Sequence, residues 1–314
     1  MAEKPYAYLI LSPAPDYEIA IAEARRLTGG ELASPRVVVA EGEADVSRSA
    51  YLGLCMRLLH HGASLEELLR WLDGAGLAAE GFAVAVEKRP RKFPLSARRA
   101  AWEIGARIGG SPNLSQPRVV FQLIVDEGAF YFGRVVGKND TSWEERRHRP
   151  FTFSSAIDVR VARAMVNLVA RPGEVILDPC CGSGTILCEA RAVGVRAVGG
   201  DINWKMVFGA RENTRYFGLR VPIVLCDART IAGRFDAVVT NLPYGRWSAA
   251  SGEFYERFAE NLGRLAPRAC LAAGEDLSPL FARHGWRVRE KPRQLGHSLT
   301  RHIHVLERAG VGEG

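Results

Sequence analysis

Glu174-Val175-Ile176-Leu177-Asp178-Pro179-Cys180-Cys181-Gly182-Ser183-Gly184-Thr185 is the stretch whose reading decides the fold. Glu174 to Asp178 reads as a short buried strand, and the spacing from Ile186 through Ala192 predicts a helix. A glycine-rich turn between the two lets a ligand approach the backbone closely, and the helix start supplies free N–H donors. Similar units follow. Ala197 to Gly200 is apolar and ends at Asp201, where an acid can accept hydrogen bonds from ribose hydroxyls. Val221 to Leu225 reads as a third strand, ending at Cys226-Asp227-Ala228, a polar step suited to an adenine edge. Phe235 to Val239 is a fourth, running into Thr240-Asn241. In an open α/β sheet, ligands bind outside the carboxyl ends of the strands, so Asp178, Asp201, Asp227 and Asn241 are expected to line one crevice. A single acid after a strand is ordinarily a helix N-cap; four in register ask for another explanation.

The fourth of these strand ends carries its own chemistry. Asn241-Leu242-Pro243-Tyr244-Gly245 is good turn sequence, yet it also suits the orientation of a planar amine. The Asn241 side-chain oxygen and the Leu242 carbonyl can each accept from an NH₂ group. Tyr244 can stack on the ring that bears it, and Pro243 stiffens the turn. Such a site points an amine nitrogen at an electrophilic methyl. A nicotinamide dinucleotide is the obvious rival ligand, but Gly182-Ser183-Gly184 supplies only two glycines of that fingerprint and Leu187 stands where the third belongs. No GxxxxGK[ST] phosphate loop is present. Asp178, just ahead of the glycines, suits a cationic ligand better than a pyrophosphate, and S-adenosylmethionine, with its sulfonium and amino groups, is a ligand of that kind.

Together, Asp178 to Thr185 and Asn241 to Gly245 resemble the motifs of the class I S-adenosylmethionine-dependent amino-methyltransferases. The lead-in Trp143 to Phe151, the run Ala162 to Leu168 and the segment Gly296 to Arg301 are narrower. They resemble the archaeal and eukaryotic tRNA guanosine-N2-methyltransferases, which join this domain to an RNA-binding THUMP domain. The resemblance is strong from about Trp143 to Thr300 and weaker before. It implies S-adenosylmethionine as cofactor, with the methionine part held by Asp178, Gly182 and Gly184, beside Cys180, Ser183 and Thr185. It also implies the ribose on Asp201 next to Ile202, and the adenine on Asp227 and Ala228. Asn241, Leu242, Pro243 and Tyr244 would be catalytic, Asn241 also touching the cofactor. Members acting at tRNA position 10 usually carry Asp-Pro-Pro-Tyr, whereas Asn241-Leu242-Pro243 resembles relatives acting at position 6. Position 10 is the expectation, and position 6 the alternative.

Composition bounds the reading. The 314 residues are 47% hydrophobic and 25% charged, enough for two domains with separate cores. No apolar run approaches the roughly 18–20 residues of a membrane span, and no signal-peptide core opens the chain, so a cytoplasmic protein is expected. The six cysteines form no Cys-x-x-Cys pair, which argues against zinc. The expected state is a monomer, with an accessory subunit as the alternative. Formal charge is +7, of which residues 1–150 carry only +1. Within that half, Lys88, Arg89, Arg91, Lys92, Arg98 and Arg99 cluster, and Arg146 and Arg147 sit just before the second domain. Basic clusters are often solvated faces; here they are read as contacts for RNA phosphates, tRNA being the expected partner.

The expected organisation is α/β. An N-terminal α+β region over residues 1–137 contains the THUMP-like part from about 50. A linker follows over 138–150, then a doubly wound, mostly parallel Rossmann-like domain over 151–314. The spacing predicts helices at Tyr17 to Leu27, Ser49 to His60, Leu65 to Trp71 and Ser96 to Ile108. It predicts strands at Tyr6 to Leu11, Arg36 to Val39 and Phe82 to Glu87, and a hairpin of Val119 to Val125 with Ala129 to Val136. Three rivals stand beside a tRNA methyltransferase. A DNA amino-methyltransferase fits the Asn241 turn but not the N-terminal half. A protein-glutamine methyltransferase gains nothing from the basic clusters, and a non-catalytic THUMP protein has no use for Asn241.

Overall fold

The computed structural model describes residues 5–153, 156–243, 252–296 and 300–308. Tyr244, Gly245 and the tail 309–314 lie outside them. Contacts divide the chain into two units. The first comprises Met1–Leu11, Leu27–Ser47 and Tyr51–Asn139; the second comprises Ser12–Arg26, Arg48–Ala50 and Asp140–Gly314.

In chain order the first unit holds strands β1 (Tyr6–Ile10), β2 (Glu31–Ser34), β3 (Val37–Ala40) and β4 (Leu52–Gly62). Strands β5 (Phe82–Arg89), β6 (Val119–Asp126) and β7 (Ala129–Lys138) follow. They form one sheet in the order β2-β3-β1-β4-β7-β6-β5, antiparallel except for β5 and β6. Helix α1 (Tyr17–Thr28) precedes β2, and helices α2 (Leu65–Ala75) and α3 (Ala97–Gly105) are capped by Ser64 and Ser96, whose hydroxyls accept from Glu67 and Arg99. They cover a core of Leu68, Leu72, Phe82, Ile104, Phe121 and Phe132. The β6–β7 turn places Glu127 at φ 49° and Gly128 at φ 90°, the two positive angles of a type I′ hairpin turn.

Ser49 to His60, expected as a helix, is instead mostly β4. This strand is flanked by β1 on one side and β7 on the other. Burial on both faces at Leu52, Leu54, Cys55 and Met56 removes the polar alternation that would have marked a strand.

The second unit begins with Ser12–Arg26, most of α1. Its buried Glu23 accepts from Ser49 Oγ at 2.7 Å and Asn167 Nδ2 at 2.7 Å. A 3₁₀ segment, Thr141–Arg147, leads to α4 (Val159–Val169), β8 (Val175–Asp178), α5 (Thr185–Ala192), β9 (Arg196–Asp201), α6 (Trp204–Tyr216) and β10 (Ile223–Leu225). Then come β11 (Ala237–Asn241), α7 (Gly252–Leu265), β12 (Arg268–Ala273), α8 (Ser278–Arg283), β13 (Trp286–Glu290), β14 (Arg293–Leu295) and β15 (Thr300–Arg308). The strands run β10-β9-β8-β11-β12-β15-β13, with β14 on β15. The first five are parallel and β15 antiparallel. From β8 the chain moves outward through β9 and β10, then returns to β11 on the other side. The sheet order therefore reverses between β8 and β11, the place where such sheets hold ligands.

Candidate functional site

The turn after β8 is shaped by two left-handed glycines, Gly182 at φ 50° and Gly184 at φ 81°. A side chain at Gly184 would press within 3.2 Å of Ala210 on α6, so that glycine serves close packing and the positive φ, and it does not line the cavity. The turn is tied to the end of β9 twice. Cys181 N–H donates to the Gly200 carbonyl at 2.8 Å, and Gly182 N–H to Asp201 Oδ2 at 2.9 Å. Asp201 Oδ1 accepts from Asn203 N–H at 2.9 Å. Burial raises the Asp201 carboxyl above its ordinary range.

Asp178 is 1% exposed at the end of β8. Its Oδ1 accepts from Thr240 Oγ1 at 2.6 Å and from Cys180 N–H at 3.3 Å. Burial, with Asp201 nearby, outweighs these donors and raises its carboxyl to about 7. Ser183 Oγ in the same turn is buried and has no hydrogen-bond partner among the described residues. Burial drives the Cys180 and Cys181 thiols well above their usual value, so both sit as small uncharged packing groups.

Asn241 closes β11 opposite Ala272 of β12. The peptides after it are fixed. Leu242 N–H donates to the Ala272 carbonyl at 2.9 Å, the Leu242 side chain is 1% exposed in the core, and Tyr255 Oη donates to the Pro243 carbonyl at 2.9 Å. Asp227, following β10, accepts from Arg229 through both oxygens at 2.6–3.0 Å, and this pairing lowers its carboxyl.

Asp178, Asp201, Asp227 and Asn241 all line a single cavity of about 590 Å³. Cys180, Gly182, Ser183, Thr185, Ile202, Ala228, Leu242 and Pro243 line it as well; Tyr244 lies outside the described residues. Apolar walls come from Phe153, Ile157, Met206 and Phe254, none singled out by the sequence motifs. The supporting contacts of Thr240 and Tyr255 were equally hidden. The first pairs with a residue 62 positions away, and the second lies 12 residues beyond its partner.

The basic residues separate into two sets. Arg91, Lys92, Arg98 and Arg99 are exposed, Arg99 pairing with Glu103 at 2.7 Å. Lys88, expected at phosphate, instead donates to the Phe93 and Leu95 carbonyls at 2.9 and 2.7 Å, holding the loop after β5. Arg89 pairs with Glu87. Arg146 is turned into the protein, where it shares buried Glu189 with Arg163 at 2.6 and 2.8 Å. Glu189 needs a cation in a dry site, and that demand takes Arg146 from the surface. Arg147 pairs with Asp158 and lies over the Trp143 ring.

Residues 146–303 match the family described as UPF0020, RMKL-like methyltransferase domain. The chain is 32% identical over 284 residues to the tRNA (guanine(10)-N2)-dimethyltransferase of Methanothermobacter thermautotrophicus, covering 83% of this chain and 84% of that protein. It is 31% identical over 165 residues to the enzyme of the same name from Methanocaldococcus jannaschii, covering 48% of this chain and 47% of the other. Among solved structures, TrmN from Thermus thermophilus superposes with a TM-score of 0.52 at 20% identity, over 97% of this chain and 99% of its own, a likeness of fold. The chain therefore belongs to the RMKL-like methyltransferase family UPF0020, alongside these archaeal relatives.

Proposed function

We propose that this protein transfers a methyl group from S-adenosylmethionine to the exocyclic N2 of a guanosine in tRNA, position 10 first and position 6 as the alternative. The observation that carries the reading is the meeting of Asp178, Asp201, Asp227 and Asn241 on one cavity at the sheet's reversal point. The relatives named tRNA (guanine(10)-N2)-dimethyltransferases support the substrate. The donor set suits the cofactor. Asp178 offers a carboxylate to an ammonium group, and the Ser183 hydroxyl, without a partner among the described residues, is suited to a carboxylate. Asp201 offers acceptors to ribose, and Asp227 with Ala228 faces the adenine. When bound, S-adenosylmethionine supplies an electrophilic methyl on its sulfonium.

Guanine N2 is a weak nucleophile because its lone pair is conjugated with the ring. Acceptance of its two N–H groups by the Asn241 oxygen and the Leu242 carbonyl turns the lone pair toward the methyl. Positioning of this kind supplies much of a rate effect without a strong base. Water receives the proton released as the bond forms. The base leaves the tRNA stack to reach the cavity. In the first unit, exposed Arg91, Lys92, Arg98 and Arg99 on a THUMP-like α+β fold are the phosphate contacts, and the work belongs to the cytoplasm.

The test offers labelled S-adenosylmethionine with bulk tRNA, duplex DNA and a glutamine-containing peptide. Label on tRNA alone is expected. Label on DNA or peptide, or on none of the three, overturns the reading.

A further inference from the structure

Just ahead of α4 the chain carries Phe151, Phe153, Ala156 and Ile157, and the last three line the cavity. One side chain joins this wall to the glycine turn. Asn213 on α6 is 0% exposed. Its Oδ1 accepts from the Phe151 N–H at 2.9 Å, and its Nδ2 donates to the Phe151 carbonyl at 2.8 Å and the Ser183 carbonyl at 2.9 Å. Both donors of the amide are used, one on each structure. The Ser183 it grips is the residue whose own hydroxyl is buried without a partner among the described residues. One turn of helix earlier, α6 has Gly209, unfavourable inside a helix on propensity alone. A Cβ there would stand 3.3 Å from Phe151 Cβ, a tight approach, and 3.5 Å from the Phe153 ring, so both residues lie close against α6 at this glycine. Phe151 also packs edge-on against Phe208, with ring centres 5.4 Å apart.

We infer that Asn213 is a positioning residue that couples this aromatic wall to the glycine turn, so that cofactor binding and docking of the wall on α6 reinforce each other. The inference rests on the reading of the cavity as an S-adenosylmethionine site. Asn213 itself touches no ligand-facing surface; it acts through the Ser183 and Phe151 peptides. Coupling through it is reciprocal, since whatever steadies the turn steadies the wall by the same factor.

The probe is S-adenosylhomocysteine, with binding followed by calorimetry and amide exchange followed in the peptide containing Phe151. Two variants are compared with the natural chain. Asn213→Ala removes the clip directly. Gly209→Val leaves the glycine turn untouched and improves helix propensity, but crowds added side-chain carbons against Phe151 and Phe153. In the natural protein the probe slows exchange at Phe151. Both variants are expected to weaken the probe on the order of tenfold and to lose that slowing, with Gly209→Val unfolding within a few degrees of the natural protein. Gly209→Val alone decides the matter if Asn213→Ala fails to fold. Binding by the natural protein but unchanged affinity and retained slowing in Gly209→Val overturns the coupling. Absence of binding in the natural protein instead overturns the cofactor reading itself.

Discussion

Replacing Thr240 by valine keeps the shape of a buried β-branched side chain and removes one hydrogen bond, that from Oγ1 to Asp178 Oδ1 at 2.6 Å. Thr240 is 0% exposed and is not among the residues lining the cavity, so its effect on a ligand passes through the lining residues it contacts, Asp178 foremost. A hydrogen bond to a charged group contributes about 1.5–3 kcal/mol, which at about 1.4 kcal/mol per pKa unit raises the Asp178 carboxyl by roughly one to two units. It starts at about 7. At pH 7.5 the ionised fraction then falls from about three-quarters to between about a quarter and a few per cent. A cationic ligand binds the ionised form, so affinity for S-adenosylhomocysteine should drop roughly 3- to 25-fold at pH 7.5 and only about 1.3- to 4-fold at pH 8.5. The sign on stability is opposite in pH. A carboxyl raised on folding contributes stability below its unfolded value and loses it as pH rises toward 7, and the variant deepens that loss. Titration calorimetry at the two pH values measures the first effect, with Asp178→Asn as the pH-insensitive control. Equal affinity of Thr240→Val and the natural protein at pH 7.5, or a loss that does not shrink at pH 8.5, refutes the reasoning.

Other contacts make equally direct predictions. Tyr255→Phe keeps the ring packing but removes the hydrogen bond to the Pro243 carbonyl; turnover on tRNA should fall about 5- to 10-fold for a contact of ~1 kcal/mol, with S-adenosylhomocysteine affinity within about twofold. Unchanged turnover would count against a role for the fixed turn. Glu189→Ala leaves Arg163, 1% exposed, without its counter-charge and should cost about 3–5 kcal/mol in urea unfolding; a loss under about 1 kcal/mol contradicts the buried triad. Changing Arg91, Lys92 and Arg98 together to alanine should lower the salt slope of tRNA binding by up to about 2.7, at ~0.9 per duplex phosphate contact, while leaving cofactor affinity alone. An unaltered slope removes these residues from the RNA contact.

The second unit was the more legible of the two. Its strands end in turns whose glycines, prolines and acids have local reasons to be there, so Asp178, Asp201, Asp227 and Asn241 could be placed around one crevice from sequence. β4 was not legible, because a strand paired on both sides and buried on both faces has the composition of a buried helix. Charge alone did not reveal the contacts of Lys88, Arg89 and Arg146. A basic run looks the same whether its cations face solvent, serve backbone carbonyls or neutralise a buried glutamate. Thr240, Asn213 and Tyr255 act through partners 12 to 62 residues away, and nothing in their immediate neighbourhood announces it. Leu242 shows the limit of motif reading. It belongs to the core and lines the cavity at once.

The central claim is a methyl placed on guanosine N2 by the Asn241 turn. An unmodified tRNA transcript is treated with S-adenosylmethionine and either the natural protein or Asn241→Ala, then digested to nucleosides and analysed by mass spectrometry. The natural protein should give N2-methylguanosine or N2,N2-dimethylguanosine. Asn241→Ala should give at least about a hundredfold less, while still binding S-adenosylhomocysteine with nearly the natural affinity. Methylation of another base or another guanine atom, or full activity in Asn241→Ala, would contradict it.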